Sequence, residues 1–415
     1  MSQSAPTIDR ASLQARFDGF KAQNLNLNMT RGKPSPQQLD LANGMLDVVS
    51  SEDFTAADGT DARNYGGLNG LAAAEALFAE YMAVSPSELM MGGNSSLALM
   101  HDTLVRAVLF GTVDSPKPWH KEEKVSFLCP VPGYDRHFAV CELLGIHMIP
   151  VEMNVDGPDI DTVEALVQDD PSVRGMWCVP KYSNPGGQTY SDEVVNRLAA
   201  MPTAAPDFRI MWDNAYAVHH LTDTPPQLKN MLRACEAAGN PERVYMFGST
   251  SKISLAGAGV AMLAASERNM STLRKQRAVQ TIGVDKLNQL RHLRFFKDMD
   301  GIYTHMKGHT ALLKPKFDAV DAVLTRELAG QGIATWSKPQ GGYFVSLDTR
   351  PGLAKRVVAL AEEAGVKLTP AGATQPYGDD PEDTNIRLAP SFPSLAEVEQ
   401  AMEVVAVAVL LASST

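Results

Sequence analysis

The chain has 415 residues, 44% of them hydrophobic, and a formal net charge of −11. That length accommodates one large and one small domain around a substantial core. The acidic balance argues against nucleic acid as the main partner, because a polyanion needs a basic face.

In chain order, residues 1–10 are polar and lack the apolar core of a secretion signal. Residues 1–30 read as an N-terminal arm with a short helix over 10–23, and 31–36 (Arg-Gly-Lys-Pro-Ser-Pro) as a rigid loop. An alanine-rich helix is expected over 71–82. A second is expected over 96–110, where Leu97, Met100, Leu104 and Leu109 recur at roughly helical spacing. Short apolar runs follow at 124–129, 147–153, 175–179, 209–212, 244–247 and 259–263, separated by helical or loop segments. Strands alternating with helices predict an α/β fold with a mostly parallel sheet covered on both faces. Such sheets bind ligands at the carboxyl ends of their strands.

Near residue 300 the texture changes. One long helix is expected over 302–328, broken near Pro315. Strands follow at 342–347 and 384–388, and helices at 353–364 and 395–412. This is a smaller α+β domain completed by the N-terminal arm, so the expected division is 1–49, 50–305 and 306–415. The apolar run 404–412 is too short to span a bilayer. Cys129, Cys141, Cys178 and Cys235 form no C-x-x-C pair and read as buried reduced thiols of a cytoplasmic protein.

Chemistry-bearing residues fall at the expected strand ends. Lys252 closes Met246-Phe247-Gly248-Ser249-Thr250-Ser251-Lys252. A strand running into a hydroxyl-rich bend offers donors that can hold a phosphate beside an amine able to form a Schiff base. Asp213 ends another strand, where a carboxylate can keep a ring nitrogen protonated as pyridoxal phosphate (PLP) chemistry requires; the plain alternative is a helix cap. Asn184, in Asn-Pro-Gly, can donate to a phenolate oxygen or simply make a turn. Gly92-Gly93-Asn94-Ser95-Ser96 opens a helix, which is an anion site or an ordinary N-cap. Tyr134 after Pro132-Gly133 can stack on a planar ring or only pack. His219 and His220 lack metal-ligand spacing and read as structural, so no metal is expected.

Taken together and in order, these features resemble fold-type I PLP-dependent aminotransferases over nearly the whole chain, from Arg31 to Arg387. Residues 64–70 (Asn-Tyr-Gly-Gly-Leu-Asn-Gly), 248–252 and 385–391 (Asn-Ile-Arg-Leu-Ala-Pro-Ser) are similar to the Ic subgroup of aspartate aminotransferases. The resemblance implies a homodimer with shared active sites and PLP as cofactor. It gives Lys252 the Schiff base and the transfer of the Cα proton, and Asp213 the pyridine nitrogen. Asn184 and Tyr216 go to the 3-oxygen, and Tyr134 to the ring face. Ser249, Ser251 and the Asn94–Ser95 backbone take the phosphate, with Tyr65 reaching it from the partner subunit. Arg387 clamps the α-carboxylate by a two-pronged pair, with Gly32 close by. One departure stands out: many relatives carry a phosphate-binding arginine seven or eight residues after the lysine, whereas residues 255–260 here are Leu-Ala-Gly-Ala-Gly-Val.

The implied activity is ping-pong transamination from L-aspartate to 2-oxoglutarate. The distal carboxylate needs a cation, for which Arg31, Lys33 and the 291–294 cluster (Arg-His-Leu-Arg) are candidates. The alternatives inside PLP chemistry are an aromatic or kynurenine-type aminotransferase or a carbon–sulfur lyase. Outside it stand an effector-sensing module, for which no DNA-binding domain precedes Arg31, and a nucleotide-binding protein, for which Gly257-x-Gly259 is an incomplete fingerprint.

Overall fold

Hydrophobic runs that alternate with helices build the central sheet of the computed structural model, which describes residues 10–414. In chain order the strands are β1 (Leu27–Asn28), β2 (Leu89–Met91), β3 (Ser126–Val131), β4 (His147–Asn154), β5 (Gly157–Pro158), β6 (Val173–Cys178) and β7 (Arg209–Asp213). They continue as β8 (Val244–Ser249), β9 (Ala261–Ala264), β10 (Ala334–Trp336), β11 (Val345–Thr349), β12 (Val366–Lys367) and β13 (Asn385–Leu388). The large sheet has the order β2-β9-β8-β7-β6-β3-β4-β5. Its centre is parallel, from β4 through β3, β6 and β7 to β8. β9 runs antiparallel to β8 and β2, and β5 antiparallel to β4.

Every residue of β3, β6, β7 and β8 is buried. Because side chains alternate across a strand, each strand feeds two cores. Leu128, Met176, Ile210, Trp212 and Met246 pack on one face, and Phe127, Trp177, Met211, Tyr245 and Phe247 on the other. The four cysteines are buried free thiols.

A second body gathers around β10-β11-β13, an antiparallel sheet. Leu13 and Phe17 of the helix Arg10–Ala22 and Leu27 of β1 share one core with Phe317, Leu347, Val357, Leu388 and Val405. β1 pairs parallel with β12, which ties the N-terminal arm to the C-terminal third. We propose a division on this basis, with its second boundary inside the helix Met299–Leu328. Met299, Ile302 and Met306 of that helix pack with Val218, Ile253 and Phe296; Leu313, Phe317 and Val320 join the second body.

Two expectations differ from the structure. The helix Met299–Leu328 runs unbroken through Pro315. Proline removes one backbone donor, but Leu313, Lys316 and Phe317 are buried around it, and Lys316 Nζ donates to the Ser391 carbonyl at 2.9 Å. The strand expected at 342–347 begins at Val345, because Gly342 takes φ +82° against Tyr182. Among the described residues, no helix is long and apolar enough to cross a membrane.

Candidate active site

The carboxyl ends of β3, β6, β7 and β8 open into one cavity of about 520 Å³. Its lining includes Tyr134, Asn184, Asp213, Tyr216, Lys252 and Arg387. Residues separated by hundreds of positions thus converge where a parallel sheet is expected to bind.

At one end lie hydroxyls and a helix start. Ser95 caps the helix Ser96–Phe110, its side chain accepting from Ala98 N. The N–H groups of the first turn have no intrahelical acceptors, and Ser95, Ser96, Ser249 and Ser251 all line the cavity. Ser251 Oγ donates to the Asn94 carbonyl at 2.5 Å. The Asn94 side chain is not part of the cavity lining and donates to the Gly257 carbonyl at 3.3 Å. A Cβ at Gly259 would sit 2.7 Å from Ser251 Oγ, so only glycine permits this approach. Asn288 holds the Ala258 and Gly259 carbonyls at 2.8 and 2.9 Å. The segment 255–260 therefore presents backbone and no cation.

Lys252 is half-buried, with its amine 5.1 Å from the centre of the Tyr216 ring. Burial depresses its pKa, and the Asp213 charge offsets part of that. Its backbone is held firmly: the Lys252 carbonyl accepts from His219 Nε2 at 3.2 Å and Tyr343 Oη at 3.3 Å. The next carbonyl, of Ile253, accepts from His305 and His309 at 2.7 and 2.9 Å. His220 bonds the Tyr182 hydroxyl at 2.8 Å.

Asp213 is 3% exposed. Its Oδ2 meets His137 Nε2 at 3.0 Å, while its buried Oδ1 has no partner among the described residues. His137 lies flat on Trp177, ring centres 4.1 Å apart at 5°, and edge-on to Tyr134 at 4.9 Å. Sequence reading missed His137; its spacing of about one helical turn from Tyr134 was the available signal. Burial, then the Asp213 charge, lifts the Tyr134 hydroxyl to about 12. Burial also holds Tyr216 well above its ordinary value, so both are neutral phenols. Asn184 is buried with its Oδ1 unpartnered.

At the opposite end Arg387, on β13, is 7% exposed and sits 5.1 Å from the Phe344 ring. Its Nη1 donates to Asp135 Oδ1 at 2.8 Å. Gly32 presses on the same ring, where a Cβ would lie 2.2 Å from Phe344 Cζ. Arg31, Lys33 and Arg136 line this end of the cavity. Lys33 Nζ rests 4.0 Å from the centre of Phe392; Arg136 was not foreseen. The 291–294 cluster does not line the cavity of its own chain. Arg294 is spent on Val48, Asp53 and Thr55, and His292 on Thr250 and Ser254. Tyr65 is 80% exposed and also lies outside that cavity.

A family model described as aspartate amino-transferase matches residues 1–415. The chain belongs to the aspartate amino-transferase family. An aspartate aminotransferase of Corynebacterium glutamicum is 50% identical over 402 residues, covering 97% of this chain and 93% of that protein. The crystal structure of an aspartate transaminase from the same organism superposes with a TM-score of 0.95, at 50% identity, covering 98% of this chain and 95% of that one. A more distant structure, α-aminoadipate aminotransferase from Thermus thermophilus complexed with N-(5′-phosphopyridoxyl)-L-leucine, matches at TM-score 0.75. At 21% identity over 100% of this chain and 99% of that one, it speaks for the fold alone. This member of the aspartate amino-transferase family is thus a transaminase with the fold-type I architecture of PLP-dependent enzymes.

Proposed function

We propose that the chain uses pyridoxal 5′-phosphate to move an amino group from L-aspartate to 2-oxoglutarate, as a cytoplasmic homodimer. The observation that carries the cofactor reading is the unpartnered, buried Asp213 Oδ1 in the cavity that holds the half-buried amine of Lys252. A buried carboxylate oxygen without a donor is costly, and a protonated ring nitrogen is the donor it lacks. The four serines and the helix start fit a phosphate by the same test of donor chemistry. The cofactor, when bound, supplies an electron sink for the charge left at the substrate Cα.

The chain's own residues do the rest. Lys252, its amine freed of a proton more readily than usual, anchors the cofactor and carries the proton to and from Cα. Asp213, oriented by His137 on Trp177, keeps the ring nitrogen protonated. Tyr134 covers the ring. Asn184 and the Tyr216 hydroxyl donate to the 3-oxygen. Ser249, Ser251, Ser95 and the Asn94–Ser95 backbone hold the phosphate, joined by Tyr65 of a second copy, whose 80% exposure suits a role beyond its own cavity. The segment 255–260 adds no cation to the phosphate site. Arg387, beside Gly32, takes the α-carboxylate. Arg31, Lys33 and Arg136 bring positive charge to the same end of the cavity, which favours a dicarboxylic substrate over an aromatic one.

The test is an absorbance scan of the purified protein. A near-visible band should shift on adding aspartate and return on adding 2-oxoglutarate. Borohydride reduction and peptide mapping should then place a pyridoxyl tag on Lys252. A fully loaded protein with the tag on another residue refutes the assignment.

A further inference from the structure

Among the described residues, Arg387 has a single hydrogen-bonding partner for its side chain, and it is an acid. Nη1 donates to Asp135 Oδ1 at 2.8 Å. Among the described residues, Nε is buried with no partner and Nη2 makes no hydrogen bond. The guanidinium is otherwise held only by its stem and by the Phe344 ring. A buried guanidinium with one fixed N–H and several open ones is aimed but unfilled, since it carries five donors in a rigid fork.

Asp135 is the first residue of the helix Asp135–Leu143, directly after Tyr134 and two residues before His137. The same turn of backbone therefore supplies the tyrosine, the partner of Asp213 and the partner of Arg387. The Asp135 side chain is 35% exposed while that of Arg387 is 7% exposed, so the acid stands on the solvent side of the pair. It accepts through one oxygen and one N–H only. A competitor for the clamp would take both prongs; a one-point contact fixes the rotation of the fork and leaves Nη2 open.

We propose that Asp135 is a positioning residue, which aims Arg387 at the α-carboxylate shared by amino donor and oxo-acid acceptor. The inference rests on the reading of Arg387 as the α-carboxylate clamp. Loss of an aligned, charge-assisted hydrogen bond weakens binding by about tenfold. Because both half-reactions use the same carboxylate, KM for donor and acceptor rises together, and kcat moves far less.

The experiment compares Asp135→Ala and Asp135→Asn in the holoenzyme, by steady-state kinetics with aspartate and 2-oxoglutarate and by calorimetric titration of succinate. Asp135→Ala should raise both KM values and the succinate Kd by about tenfold. Asp135→Asn keeps an oxygen acceptor and should restore most of the affinity. A residue that only favours the helix start would lower Tm in both variants and leave the KM-to-kcat pattern alone. Tighter succinate binding by Asp135→Ala would show a rival for the clamp and overturn the proposal. So would equal defects in the two variants, which would assign the effect to charge. The failure of the functional reading looks different: wild-type protein would then transaminate neither substrate, and the succinate titration would still report on Asp135. Wild-type protein that binds no carboxylate removes the clamp and the proposal with it.

Discussion

Acid should loosen the segment that carries Lys252. Four histidines surround it, and three of them are almost wholly buried. His219 donates Nε2–H to the Lys252 carbonyl, and its buried Nδ1 has no partner. His309 faces the Ile253 carbonyl at 2.9 Å through Nε2, while Nδ1 accepts from Gln38 at 3.0 Å. His292 donates Nδ1–H to the Asn288 carbonyl and offers Nε2 to Thr250 and Ser254. None has a carboxylate beside it in these bonds, so a second proton would bring in a buried charge that nothing in them neutralises. Burial accordingly pushes His292 and His309 down to about 4 from an ordinary 6.5, and His219 well below its ordinary value. The sign follows from linkage. The unfolded chain takes up these protons as pH falls through 6.5, whereas the folded chain refuses them until about 4, so stability is full above 6.5 and is lost between those values. At about pH 5 each of His292 and His309 costs about 2 kcal/mol. At 0% and 1% exposure, solvent does not screen this cost. The pair removes about 4 kcal/mol, a large share of the roughly 5–15 kcal/mol that typically holds a protein folded. The assay is urea unfolding at about pH 7.5 and about pH 5, wild type against His309→Gln. The variant should start less stable and lose about 2 kcal/mol less between the two conditions. Equal losses in the two proteins would show that His309 does not withhold its proton in the folded chain.

Three further outcomes follow from contacts described above. Gly32→Ala places a methyl 2.2 Å from Phe344 Cζ, and should cost about 1–3 kcal/mol of stability and raise substrate KM as Phe344 is pushed toward Arg387; an unchanged melting curve counts against the contact. Gly259→Ala drives a Cβ to 2.7 Å from Ser251 Oγ and 2.9 Å from Ser251 N, so pyridoxal phosphate should dissociate faster on dialysis while Tm falls only modestly. Tyr65→Phe should leave the Tm of the cofactor-free protein unchanged, since the side chain is exposed, yet weaken cofactor retention in the dimer; full retention after dialysis would exclude a reach across the interface.

What could be read from the sequence was local in the chain. The Ser-Thr-Ser-Lys run ending at Lys252, Asn184 before its proline, and Asp213 with Tyr216 three positions on each carry their signal within a few residues. The alternation of apolar runs with helices placed each of them at a strand's carboxyl end. The helix over 96–110 was legible for the same reason, since its apolar spacing and Ser95 cap are neighbours in the chain. Pairings across the chain were not legible. His137 meets Asp213 across 76 positions, and Arg387 meets Asp135 across 252. Nothing in either segment names its partner, because a hydrogen bond between distant residues leaves no periodicity behind. The error at Pro315 has the same root: the local rule that proline breaks helices gave way to burial of Leu313, Lys316 and Phe317, which only the tertiary fold supplies.

The same distinction separates how the two ends of the cavity are built. The hydroxyl end is one short segment closing on a helix start, with Ser251 bonded to Asn94 and glycine at 259 allowing the approach. Its donors are neutral hydroxyls and backbone N–H groups, all carried by segments of the large sheet's body. The guanidinium end joins β13 and Gly32 to the helix that begins at Asp135, and so draws on both bodies at once. A relative shift of the two bodies would move Arg387 against Asp135 and would reach the Lys252 carbonyl only through Tyr343, while Asp213 and His137 would move as one. Cofactor retention and substrate affinity should therefore respond to different substitutions, the first to those around Ser251 and Gly259, the second to those around Asp135, Gly32 and Phe344.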